Sequence, residues 1–240
     1  MKKLYGSLIV LFTFISMSAS TMAADTSCDI GLYTKYINGL GGEAGKNNEP
    51  AIQGWCRLTA KNGVYGEFWG SQSTRNPGLK ETGANEFDLT VGIDKQFDDK
   101  WSADVHLAYF DIVNPKMLNG INGDLANVGG TLRYHVTPNT MVYTNLEGYH
   151  GIGDIGLAGG WRAGLGVRTS VGPVVVDGIL YHNQNFLGHG QFAKVMIESK
   201  SPIAKFAGGE IRPTVFIWQP IGEYRQTRDT QIVGAIHITF

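Results

Sequence analysis

The sequence is short of most features that mark soluble enzymes, anchored proteins and nucleic-acid binders. It has two cysteines, eight prolines and 33 glycines in 240 residues. Beyond the N terminus, the longest apolar run is "TSVGPVVV" between Arg168 and Asp177, far below the ~20 residues a helix needs to cross a bilayer. No transmembrane helix is therefore available. Charge of neither sign accumulates, and without a basic patch nucleic acid is excluded as a partner. The six histidines are scattered at 106, 135, 150, 182, 189 and 237. The two in "YHNQNFLGHG" fit no usual ligand spacing and read as solvated loop residues, so neither metal nor cofactor is expected.

The N terminus carries the one long apolar stretch. Met1-Lys2-Lys3 precedes "LYGSLIVLFTFISM" (4–17) and the small residues "SASTMAAD". This is the pattern of a secretory signal peptide over 1–23, cut after Ala23 or Ala24, and the run is too short for an anchor. Removing 23 residues leaves 217, in which 18 basic face 21 acidic residues, a net charge of −3. A single domain over 24–240 accommodates that length.

What the mature chain does have is alternation with period two from end to end. "AIQGWCRLTAK" sets Ile52, Gly54, Cys56 and Leu58 against Gln53, Trp55, Arg57 and Thr59. "EFDLTVGID" sets Phe87, Leu89, Val91 and Ile93 against Glu86, Asp88, Thr90 and Asp94. "WRAGLGVRTSV" sets Trp161, Ala163, Leu165 and Val167 against Arg162, Gly164, Gly166 and Arg168.

The connections are sorted. Short turns fall at "KNG" (61–63), "DDK" (98–100), "TPNT" (137–140), "GP" (172–173) and "SKSP" (199–202). Longer Gly- and Asn-rich segments fall between them, at 38–50, 74–84, 114–124, 151–160, 183–191 and 222–229. Five turns and six loops predict about twelve strands. Short turns on one side and long loops on the other are the sidedness of an all-β, antiparallel, up-and-down transmembrane β-barrel. In lipid such a sheet must close on itself, with apolar side chains outward. Trp101 beside "DDK", and Tyr134 and Tyr143 around "TPNT", suit the interfacial girdle. Strands "MVYTNLEGYH", "FAKVMIES" and "GEIRPTVFIW" alternate poorly. Pro213 in the last of these predicts a bulge or an edge.

The stretch "EPAIQGWCRLTAKNGVYGEFWGSQS" (49–73) resembles the TorF-like porin family of proteobacterial outer-membrane proteins. It carries that family's Pro-Ala-hydrophobic-Gln-Gly pattern (50–54), and 63–71 is similar to its Gly-aromatic-Tyr-x-Gly-x-x-Trp-Gly-Ser pattern, one residue shorter between Tyr65 and Gly66 and with Val64 at the aromatic position. "NEFDLTVGIDKQFDDKWSADVHLAYFDIVNP" (85–115) is similar to the block that follows. The family's Arg-Gly after the first strand is Asn38-Gly39 here. The resemblance implies an outer-membrane barrel and a channel.

Cys28 and Cys56 lie equidistant from Gly42 on the first two expected strands, and both have lipid-face parity. An exported chain with two cysteines is expected to join them. Parity sends Lys35, Arg57, Lys61, Arg133, Arg162 and Arg168 into the lumen, with Glu67, Asp88, Asp94, Asp104 and Asp177. A lumen lined with both signs suits small polar or charged solutes. Twelve strands lie between the filled eight-stranded barrels and the open sixteen-stranded ones. Two readings follow: a narrow passive channel, or a closed barrel acting through its external loops as an adhesin or structural surface protein. Catalysis is not expected. His237 and Thr239 face inward together, but no serine accompanies them and no acidic partner can be assigned.

The chain closes on "QIVGAIHITF", an amphipathic strand ending in Phe240. Its expected roles are to pair with the first strand and to serve as the signal for the barrel-assembly machinery. Outer-membrane lipid and lipopolysaccharide are the expected surroundings.

Overall fold

A computed structural model describes residues 24–35, 50–74, 86–112, 124–152, 159–185, 189–206, 208–222 and 229–240. The expected leader (1–23) and the centres of the long loops lie outside the described residues. The described chain is almost entirely strand: β1 (Ala24–Tyr33), β2 (Ala51–Ala60), β3 (Val64–Ser73), β4 (Glu86–Gln96), β5 (Trp101–Ile112), β6 (Asp124–Thr137), β7 (Thr140–Ile152), β8 (Gly160–Val171), β9 (Val174–Gln184), β10 (Gly190–Ser199), β11 (Ala204–Phe206), β12 (Gly209–Ile221) and β13 (Gln231–Thr239).

Strands β1 to β10 pair antiparallel in sequence order; β10 pairs with β12, β12 with β13, and β13 returns to β1. The sheet is closed by twelve strands, which leaves no edge for lipid to meet. The additional β11 pairs only with the first residues of β12. It occupies the connection expected to be a plain turn at "SKSP".

Turn chemistry explains the short side. Gly63 sits at φ 88°, and a Cβ there would fall 2.2 Å from the Asp94 carbonyl oxygen, so only glycine fits between β2 and β3. At "DDK" the backbone N–H groups of Lys100 and Trp101 both donate to Asp98 Oδ1 at 2.7 Å. These bonds hold the Asp98 carboxyl below its ordinary range. Gly172 supplies the positive φ of the β8–β9 turn.

The alternation resolves into two faces. Ile30, Leu32, Val91, Leu107, Leu146, Leu165 and Ile236 are all exposed on the outer surface. Asp29, Gln53, Tyr65, Asp104, Asn127 and Asn183 are buried on the other face. Large apolar side chains outside and polar ones inside are the arrangement lipid selects. Trp101 and Tyr134 pair on the outer face beside the short turns, ring centroids 4.7 Å apart, as the girdle reading expects. Tyr143 does not join them. It points inward, and its hydroxyl donates to Asp177 Oδ1 at 2.6 Å.

Pro213 opposes Ile236 in a regular β12–β13 ladder, while β10 pairing with β12 ends at Thr214. The residue without an N–H thus sits just past the end of one ladder, which is the edge position expected of it. The register shift among the described strands falls elsewhere, between His135 and Thr137 of β6.

At the seam, β1 is held from both sides. Cys28 opposes Cys56 directly, with Cα atoms 4.1 Å apart, and the two are joined as a disulfide. On its other edge Cys28 exchanges backbone hydrogen bonds with Phe240, at 2.9 Å and 3.4 Å. The Phe240 ring is half exposed and leans on Gly209.

Candidate pore lining

The expected inward charges assemble into belts along the wall, on the half of the barrel nearer the short turns. Arg57 and Glu67 oppose each other across β2–β3, and Arg57 Nε donates to Glu67 Oε2 at 2.7 Å. The guanidinium lies 4.0 Å from the centre of the Tyr65 ring, with Asp94 on its far side at 3.9 Å. Arg133 Nη1 reaches over β5 to the other oxygen of Asp94 at 2.9 Å. The belt therefore links β2, β3, β4 and β6.

A second belt runs from β5 to β7. His106 Nδ1 meets Asp104 Oδ1 at 2.7 Å, and its Nε2 faces Glu147 Oε2 at 3.3 Å and Asn127 Oδ1 at 3.2 Å. Asn127 and Asn145 each donate to Glu147 at 2.7 Å. Inward-facing Gly129 makes this possible: a Cβ there would fall 2.1 Å from Glu147 Oε2 and 2.7 Å from His106 Nε2. Further round, Arg168 donates to Asp177 at 3.4 Å, opposite it in register. Asp29 holds His237 Nδ1 at 2.7 Å and accepts from the Thr239 hydroxyl at 3.1 Å, on its two oxygens. His237 and Thr239 thus have the acidic neighbour the sequence could not assign. The hydroxyl is spent on that carboxylate and not on the imidazole, so the three do not form a nucleophile–base relay.

The other half of the lumen differs. Arg162 is only 2% exposed; its Nε donates to Asn183 Oδ1 at 2.9 Å. Its guanidinium lies 5.7, 5.1 and 5.4 Å from the rings of Tyr149, Tyr181 and Phe192. Phe192 packs on Trp218 at 4.4 Å, and Lys194 reaches toward Phe216 at 5.7 Å. Among the described residues, aromatic rings surround both cations here.

The tyrosine rings do not project at the barrel axis. Gly164 and Gly166 face inward on β8, and a Cβ on either would fall 2.7 Å or less from the Tyr181 or the Tyr143 ring. The rings lie flat on bare backbone, which keeps their bulk against the wall.

Of the residues expected to line a pore, Arg57, Glu67, Asp104 and Arg133 belong to the first two belts, Arg168 and Asp177 to a third pair, and Arg162 to the aromatic half. Asp88 faces inward on β4 between Trp69 and Phe110. Lys35 falls two residues beyond the end of β1, at the rim. Lys61 is an exposed turn residue and not part of the wall. The loop reading of the two histidines in "YHNQNFLGHG" is corrected for His182, which lies on β9. His106 had a legible signal, since it shares the parity of Asp104 in "WSADVHLAYF".

A closed twelve-stranded barrel with an apolar exterior and a charged interior is a transmembrane barrel of the outer-membrane type. No family model matches the chain, and no curated protein matches it in sequence. Solved structures do match it in fold. The KdgM porin superposes with a TM-score of 0.59 at 11% identity, over 89% of this chain and 98% of that one. The NanC porin superposes with a TM-score of 0.51 at 12% identity, over 90% and 98%. The COG4313 outer membrane channel from Pseudomonas putida F1 gives 0.50 at 11% identity, over 89% and 94%. At these identities the likeness is one of fold.

Proposed function

We propose that this chain is a narrow outer-membrane channel for passive diffusion of small polar or charged solutes, and a relative of the TorF-like porins. The observation that carries the reading is the lining. Charges of both signs are tied along the wall in belts, and the tyrosine rings lie flat over glycines. Opposed charges along a wall create a transverse field that favours dipolar and ionic solutes. That the fold neighbours are porins and channels agrees with this, and one of them is described in complex with oligogalacturonate.

The leader over 1–23 directs export, and the closing strand with Phe240 is the part offered to the barrel-assembly machinery. Lipopolysaccharide and outer-membrane lipid surround the exposed apolar belt. The competing reading, a closed barrel working through its outer loops, draws on the near-complete burial of Arg162, Phe192 and Trp218.

Planar-bilayer recording of the purified protein separates the two. The channel reading expects stepwise conductance, and Arg57→Glu or Arg168→Glu should move the reversal potential toward cations. Silence across a wide voltage range would leave the closed barrel.

A further inference from the structure

We propose that a groove on the outer wall, over β5 to β8, is a docking site for one lipid A, with an acyl chain in the groove and the headgroup phosphates on imidazoles at its outer end. The proposal rests on the outer-membrane reading of the fold and not on the channel reading. Two depressions of about 680 and 500 Å3 lie end to end on this wall and share Val128, Gly148 and Trp161. Gly130 and Gly148 form the floor, between exposed Val105, Leu107, Leu146 and Trp161. The lining follows successive rungs of the β5–β6–β7 ladders, from Ala103 up to His150. The groove therefore runs along the strands, from the side of the short turns toward the long loops.

The backbone does not demand glycine at 148. Its φ is not positive, and a Cβ there would meet nothing nearer than Val128 Cγ1, at an ordinary 3.4 Å. What the missing side chain does is keep the groove open. No water reaches this face, so the membrane itself supplies the occupant. A second barrel presents a convex wall that would touch such a groove only with side-chain tips. An acyl chain follows it along its length.

The loop end selects the lipid. His150 lines the second depression, and the His182 ring lies 5.5 Å from that of Trp161. His189 stands against His182 at 5.3 Å. Three of the chain's six histidines are thus gathered on one sector of the outer rim. Long loops face the exterior in barrels of this type, so the leaflet at this level is lipopolysaccharide. Its lipid A carries two phosphates, one at each end of a disaccharide. An imidazole N–H donates to a phosphate oxygen, and both nitrogens donate in the charged ring. From His150 on β7 to His189, one residue before β10, the row crosses three strand spacings, about 14 Å. That is too wide for the single phosphate of a phospholipid and suits two phosphates a disaccharide apart. Trp161, an apolar ring with one N–H, belongs at the same depth.

Native mass spectrometry tests this on the full chain, extracted in mild detergent from the outer membrane of a host with truncated lipopolysaccharide. One lipid A-bearing molecule should stay bound per chain. Gly148→Leu, which fills the groove, should lower that occupancy at least ten-fold. Gly178→Leu, on the outward face of β9 with open space around it, should leave it unchanged. His150→Ala combined with His182→Ala should also lower it, and the parent chain should retain monophosphorylated lipid A less well than the bisphosphorylated form. Heat-modifiable electrophoretic mobility shows that each variant is folded. Absence of the bound lipid, or equal occupancy in Gly148→Leu, overturns the site. Equal retention by the imidazole variant, or a phospholipid in its place, overturns lipid A as the occupant. A mass of two chains that Gly148→Leu splits would overturn it too, and make the groove an interface between copies. Bilayer conductance reads the channel separately, because the groove lies on the opposite face of the wall.

Discussion

The two halves of the lumen treat charge in opposite ways. Toward the short turns, Arg57, Glu67, Asp94 and Arg133 share one belt, and Asp104, His106 and Glu147 share another. Toward the long loops, Arg162 and Lys194 stand among aromatic rings, and Arg162 donates to Asn183. Ion pairs desolvated together hold a wall in place, and removing one member leaves its partners uncompensated. Cations beside aromatic faces are held instead by attraction to the rings and by packing. The two halves are thus held together by different forces.

Glu147→Ala against Phe192→Ala is the sharpest way to break that comparison. Loss of Glu147 removes one partner each from His106, Asn127 and Asn145 and should cost about 3 kcal/mol in urea unfolding from lipid, with conductance little changed. Loss of Phe192 should cost less than the ~3–5 kcal/mol of a packed core, since solvent can refill a lumen, but should raise conductance several-fold. Reversal of the two outcomes would mean the division of labour is misassigned.

The seam belongs to neither half and supplies the next effects. Cys28→Ser should lower stability by about 2–4 kcal/mol, a loss reproduced in the unmutated protein by a reductant, which should have no further effect once both cysteines are replaced. Deleting Phe240 removes two backbone bonds to Cys28, worth about 1 kcal/mol each. Its larger consequence should be in cells, as a reduced yield of heat-modifiable barrel in outer-membrane fractions. Normal assembly of the truncated chain would remove Phe240 as the signal.

The smallest effect should come from Asp98, outside the wall. Its carboxyl is held low by two backbone N–H donors, so its contribution is complete above the ordinary aspartate value of about 3.9. It is lost as pH falls through the lower value of the folded turn. Asp98→Asn should therefore lower the midpoint slightly at neutral pH and converge with the parent protein in strong acid.

Much of this was legible in the chain because two rules act locally. Period-two alternation assigns a face without knowledge of any partner, and it placed Arg57, Asp94 and Arg168 correctly inward. It failed to read β7, β10 and β12, where Tyr149, Phe192, Phe216 and Trp218 point into the lumen. Inward rings beside outward Val215 and Ile217 erase the contrast in polarity that alternation needs. Lys194, Glu147 and Asn145 sit on two of those strands and were missed with them.

The sequence by itself determined closure, sidedness and the cysteine pair. Turn residues and parity are properties of neighbours in the chain, and residues equidistant from a hairpin's centre must oppose one another. Only the tertiary structure decided which charges meet. Arg133 lies 39 residues from Asp94, and His237 lies 208 from Asp29. Such contacts depend on the register of strands on either side of a third, or on the seam between the first and the last. Parity says that a side chain faces the lumen, but twelve strands share that lumen. Which neighbour each side chain finds there is a property of the closed barrel.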